Sequence, residues 1–247
     1  MRYRGFLTAG ICLACAAATA AQGLKTKRFA DGSGSVGVAA GWSVKDSGNG
    51  GAALSGPGGA EMILGLNVPV VSTDVERIYA GSGIPGGALF PGSLRVNFAS
   101  PVAALLDLAT QQGRKTGNAS RITRIRRVEP VQWPNGRAAL IQFSGTANGR
   151  PTESYGLFAI QPIDNVQGLF YFSSVAAPSG SYAKLLPAML AMWKSWSVSK
   201  GTQQRRLDAA SKSLAEVDWV GTIDSVTQHR RQVAETAARQ FDRYIRQ

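Results

Sequence analysis

Residues 137–160 read RAALIQFSGTANGRPTESYGLFAI. From Arg137 to Thr146, Ala139, Ile141 and Phe143 fall on alternate positions, the period of a strand with two distinct faces. Asn148-Gly149 marks a hairpin turn, because both residues accept positive φ at little cost. Thr152 to Ile160 is the returning strand. Outward from this hairpin, Leu169 to Val175 adds a strand on the C-terminal side. Arg121 to Val131 adds one on the N-terminal side, across the turn Trp133-Pro134-Asn135-Gly136. A helix flanks each end. Ser100-Pro101 opens the earlier one, serine as N-cap and proline at the first helical position. Its apolar face is Val102, Leu105, Leu106 and Ala109, and Gly113 ends it. Pro178-Ser179-Gly180 leads into the later helix, Tyr182 to Trp196. There Leu185, Leu186, Met189, Leu190, Trp193 and Trp196 form a broad face suited to burial.

The N-terminal half repeats the strand rhythm. Residues 22–34 read as a linker. Ser35 to Ala39 is a strand, Gly41-Trp42 a turn, and Trp42-Ser43-Val44 opens a second strand. Asn49-Gly50 turns the chain into Ala52–Ser55. Gly56-Pro57-Gly58-Gly59 turns it again into Ala60–Leu66, so a β-meander is expected here. Residues 67–99 fit no period and read as a Gly/Pro-rich insertion, in which Tyr79, Leu89 and Phe90 offer apolar anchors. The order of strands, helix, strands, helix gives an α+β domain over 22–200. Its antiparallel sheet of six or seven strands carries packed helices. After Gly201 the composition changes. Gln203–Leu214 and Thr222–Arg246 read as helices, the second with Ile223, Val226, Val233, Ala237, Phe241 and Tyr244 near one face. That tail, 201–247, is suited either to packing on its own domain or to self-association with another copy.

The first residues form a three-part export leader: Met1-Arg2-Tyr3-Arg4 is basic, Gly5 to Ala21 is uncharged, and Ala18-Thr19-Ala20 or Thr19-Ala20-Ala21 offers the cleavage pattern. Residues 1–21 are therefore expected to be removed from an exported, periplasmic or secreted protein. No later stretch is long and apolar enough to span a bilayer. Cys12 and Cys15 are the only cysteines and both lie in the leader. The mature chain thus holds no disulfide, thiol nucleophile or cysteine metal site. Leu13-Ala14-Cys15 resembles a lipid-attachment box only faintly, since Cys12 stands where an aliphatic residue is normal. The net charge of +12 falls to +10 once Arg2 and Arg4 leave. That suits an anionic surface or an acidic partner. In an export setting it is poor ground for nucleic-acid binding.

The run from Phe29-Ala30-Asp31-Gly32-Ser33-Gly34 to Gly41-Trp42, then Ala53-Leu54-Ser55-Gly56-Pro57-Gly58-Gly59-Ala60, resembles the start of the Mog1/PsbP-like superfamily. The close of the later helix, Trp193-Lys194-Ser195-Trp196-Ser197-Val198, resembles its end. The likeness covers about residues 29–198. It implies two opening hairpins, an α+β layered fold, and a mostly non-enzymatic role in binding other proteins. Segments 67–99 and 201–247 depart from that pattern.

Chemistry is thinly provided. His229 is the only histidine and stands among cations in Gln228-His229-Arg230-Arg231. A Ser-His-Asp set or a zinc site therefore has no ligands to draw on. No cofactor is expected. Gly81-Ser82-Gly83-Ile84-Pro85-Gly86 lacks the Lys-Ser/Thr of a phosphate loop. Glu129 and Glu153 are placed on facing strands and read first as salt-bridge partners. The strongest cluster is Arg114, Lys115, Arg121, Arg124, Arg126 and Arg127, with Arg124 and Arg126 on one strand face. It reads either as a contact surface or as the solvated face of a guarded edge strand. Trp42, Trp133, Trp193 and Trp196 read as packing residues. The expected function is a non-catalytic binding or adaptor module for an envelope protein or anionic component. Contacts fall to Arg121, Arg124, Arg126 and Arg127 in the domain, and to Trp219, Arg230, Phe241 and Tyr244 in the tail. The alternative is a carboxylate-dependent hydrolase acting on an envelope polymer.

Overall fold

A computed structural model describes residues 23–80, 90, 92–115, 117, 120–133, 135–203 and 205. The antiparallel hairpin expected at 137–160 is present and long. In it β8 (Arg137–Ala147) pairs with β9 (Arg150–Pro162). Asn148 and Gly149 between them both have positive φ, as the turn requires. On one side lies β7 (Arg121–Val131). On the other lie β10 (Gln167–Pro178), β5 (Glu61–Ser72), β4 (Gly51–Ser55) and β3 (Ser43–Gly48). The seven strands form an antiparallel sheet in the order β3-β4-β5-β10-β9-β8-β7. A short eighth strand, β6 (Leu94–Val96), runs parallel to the far end of β5.

The central strands are buried on both faces, and alternation sorts their side chains into two cores. Leu140, Leu157, Tyr171, Val175, Met62 and Leu64 point to one face, where they meet helix α3 (Tyr182–Ser195) through Leu186, Met189, Met192 and Trp193. Ala139, Ile141, Phe158, Ile160 and Phe170 point to the other. They meet helix α2 (Pro101–Lys115) through Ala104 and Leu105. Ser100 caps α2, its Oγ accepting the Ala103 N–H at 3.1 Å. The helix runs through the buried Gly113 to Lys115 rather than ending there. Leu106, expected on its apolar face, stays 39% exposed.

Three expectations are corrected. The linker at 22–34 contains β1 (Lys25–Arg28), which pairs with β2 (Gly34–Val38). All four β1 side chains are exposed, so no apolar pattern announces it and only its backbone holds it. Strand β2 does not continue into the main meander. It is flanked by β1 and β11 (Ser197–Val198) in a separate three-stranded sheet that packs beside α3. The irregular region is also shorter than 67–99. Strand β5 carries on through Pro69 to Ser72, and a short helix α1 (Val75–Tyr79) and β6 follow. The expected leader (1–21), residues 81–89 and most of the tail lie outside the described residues.

Two glycines, Gly65 in β5 and Gly56 just after β4, make room for indole rings. A Cβ on Gly56 would lie 2.5 Å from Trp42 Cδ2. A Cβ on Gly65, whose φ is +69°, would strike Trp196 Cζ2 and lie 2.8 Å from its Cη2. Trp196 is fixed there by its Nε1–H, which donates to Gly50 O at 3.1 Å.

Candidate functional site

Strand β7 ends the sheet, pairing with β8 alone. Eleven residues long, it is the longest exposed edge, and five of its side chains are charged. Charge, irregular register and Pro130 discourage edge-to-edge addition of another strand. The register slips between Ile122 and Arg124 and again between Ile125 and Arg127. Those β-bulges re-aim the side chains. Arg124 stands opposite Ser144 and Arg127 opposite Gln142, positions that share a face of β8. Simple alternation would put Arg127 on the face opposite Arg124. The second bulge brings it to the same side.

Arg126 reaches that face as well. Its Nε–H donates to Ser144 Oγ at 2.6 Å and its Nη2 donates to Glu153 Oε1 at 2.9 Å. Ser144 Oγ in turn donates to Glu153, 3.1 Å from Oε1. Glu153 keeps only 15% of its side chain exposed, so this small network is more than a loose surface pair. Arg127 pairs with Glu129. Glu129 Oε2 is buried and has no hydrogen-bond partner among the described residues. Tyr155, on β9 across β8, resists ionisation: burial raises its pKa above the ordinary 10, and the Glu129 charge raises it further. Glu129 and Glu153 do not lie on paired strands as expected. Strand β8 separates them, and each is held by its own arginine.

The four domain arginines therefore divide. Arg126 and Arg127 are committed to carboxylates of the sheet. The Arg121 and Arg124 side chains are exposed and make no hydrogen bond or ion pair among the described residues. Arg114 and Lys115 occupy the last turn of α2, where cations offset the carbonyl end of the helix. The tail residues Trp219, Arg230, Phe241 and Tyr244, and His229, lie outside the described residues. Trp42 and Trp193 are buried, and Trp133 tilts over Tyr171 at 5.2 Å, so the packing roles hold. Sequence reasoning missed the bulges, which leave no mark in composition. It also missed Ser144, whose only hint was a hydroxyl among apolar neighbours of β8. Among the described residues no group of three or more histidine, cysteine or acidic residues is placed to hold a metal. No helix described is long and apolar enough to cross a membrane.

No family model matches the chain, and no curated protein matches it. Among solved structures, it is similar to the solution structure of cyanobacterial PsbP (CyanoP) from Synechocystis sp. PCC 6803. That likeness has a TM-score of 0.39 and 8% identity, and covers 78% of this chain and 98% of the other. It is also similar to a crystal structure from Bacteroides thetaiotaomicron VPI-5482, with a TM-score of 0.28 and 12% identity. Here 72% of this chain and 49% of the other are covered. These are likenesses of fold and concern none of the residues above.

Proposed function

We propose that the chain is a non-catalytic, exported binding module that holds an anionic partner, a protein or an envelope component, against strand β7. The observation that carries this reading is the state of Arg121 and Arg124. Both are exposed on an edge strand, and no carboxylate among the described residues pairs with either. A guanidinium left free in this way offers a planar, two-pronged donor for carboxylate or phosphate. Arg126 and Arg127 reinforce the field but are engaged. Glu129 and Glu153 are bound to those arginines, an arrangement of structural ion pairs.

The distinction guides the experiment. Reversing Arg126 would set a carboxylate against Glu153 and disturb the sheet. Arg121→Glu with Arg124→Glu changes only free charges. Tagged mature protein, crosslinked in its native cells, should lose its captured partner in this double variant while keeping its far-UV circular dichroism. Unchanged capture by the folded variant overturns the assignment.

A further inference from the structure

At the far end of β7 from Arg121, the sheet and the start of α2 part to leave a cleft of about 760 Å³. We propose that this cleft binds a small amphipathic carboxylate, its acyl body lying on the apolar wall and its head group on Arg137. The proposal is independent of the partner surface above. Its apolar wall includes Pro101 and Val102 from α2, Val128, Pro130 and Val131 from β7, and Trp133 from the following turn. Val128 is 42% exposed, high for a valine on a packed sheet. Ligand sites have this character: a concave, mainly apolar surface of several hundred Å³ with few polar groups to fix orientation.

Arg137 supplies the polar group. Among the described residues that line the cleft, it is the one charged side chain. Its Nη1 donates to Phe98 O at 3.1 Å and to Ala99 O at 2.8 Å. Those two bonds use both Nη1 hydrogens and pin the guanidinium plane. Nε–H and Nη2 make no hydrogen bond among the described residues, and no carboxylate pairs with this arginine. An anchored fork with unused donors is preorganised for a bidentate carboxylate.

A second, polar compartment of about 520 Å³ fixes the size of the head group. It shares Gly136 and Arg137 with the apolar cleft and is also lined by Asp74, Asp164, Asn97 and Asn165. Arg137 thus stands between an apolar wall and an acidic one. A carboxylate that stops at Arg137 gains its donors. A larger polyanion would project toward Asp164, and toward Asp74, whose charge Arg77 offsets in part at 3.0 Å. The apolar wall sets the body, and the acidic wall favours a head group of low charge.

The probes are decanoate and decanol, titrated calorimetrically into the mature protein. Decanoate should bind more tightly than decanol by about tenfold or more, the usual effect of a hydrogen bond to a charged group. Arg137→Gln should abolish that preference while leaving decanol affinity unchanged. Val128→Asp, at an exposed position that tolerates a polar group, should weaken decanoate by at least the same factor without unfolding the protein. Arg121→Glu with Arg124→Glu should leave decanoate binding alone, which separates the cleft from the general basic field. The proposal fails if decanoate and decanol bind equally to the parent, or if neither binds at millimolar concentration. It also fails if Val128→Asp retains full affinity.

Discussion

Gly65→Ala tests the packing of Trp196 across the edge of the main sheet. Three costs add. Alanine at φ +69° enters the left-handed region, which costs about 1–2 kcal/mol. Its Cβ would meet two indole carbons, Cη2 at 2.8 Å, and displacing a packed ring costs about 1–3 kcal/mol. Moving the ring also breaks the bond from Trp196 Nε1–H to Gly50 O, worth about 1 kcal/mol. The total is about 3–6 kcal/mol, a large share of the stability of an ordinary domain. Gly149→Ala is the internal control. Its φ is +76° and its Cβ would enter open space, so only the backbone cost of about 1–2 kcal/mol applies. Urea unfolding of the mature chain, followed by circular dichroism, measures both. Adding Trp196→Ala to each completes a double-mutant cycle. Coupling should appear with Gly65 and vanish with Gly149. Equal costs for the two glycine variants, or no coupling at Gly65, would refute the claim that this glycine exists to admit the indole.

Asp31 accepts hydrogen bonds from Ser33 Oγ–H at 2.5 Å, Asn49 N–H at 2.6 Å and Ser33 N–H at 3.0 Å, which bring its pKa down to about 2 from the ordinary 3.8. Its contribution to stability is therefore full above the ordinary value and lost as pH falls toward 2. Asp31→Asn should flatten the acid limb of the melting-temperature profile, and an unchanged limb would count against these hydrogen bonds holding the carboxylate. Tyr155 shows the opposite sense. Its pKa is raised in the fold, so the unfolded chain ionises first and stability falls as pH rises above 10. Tyr155→Phe should lessen that alkaline loss in a thermal scan. Glu129 carries a buried oxygen without a partner, a state that costs about 1–3 kcal/mol. Glu129→Leu should hold or raise the melting temperature, while a fall of several degrees would show a partner that the geometry lacks. The proposed export predicts that intact-mass analysis of the protein from its native cells finds a chain starting at Ala21 or Gln22, and an uncleaved chain or a lipid-modified Cys15 would contradict this.

The legible parts of the fold are those where burial writes a period. Ala139, Ile141 and Phe143 mark β8, and Met189 and Trp193 mark α3, because each must reach a core. Asn148-Gly149 and Ser100-Pro101 were legible because turns and caps demand particular residue types. Strand β1 was not, since Lys25 to Arg28 bury nothing and are held by backbone bonds alone. Nor was the separation of β2 from the meander. Val36 is fully buried in either arrangement, so its pattern cannot name the neighbour. The candidate site was half legible. Composition located the arginines of β7, but only register reveals that bulges gather them, and that Arg126 and Arg127 are engaged while Arg121 and Arg124 are free. Arg137 drew no notice because its role depends on the Phe98 and Ala99 carbonyls, far away in the chain.

The small sheet has a mechanical consequence. The chain enters β1 beside Val38 and leaves β11 beside Gly34, at opposite ends of β2. Tension applied before Lys25 and after Val198 would therefore run along β2 in opposite senses on its two sides. The hydrogen bonds lie across the strands, so such a load shears the β1 ladder as a set rather than unzipping it pair by pair. A protein tethered at one end and tugged at the other would yield first at these few exposed residues, and the core sheet behind them would remain unloaded until they gave way.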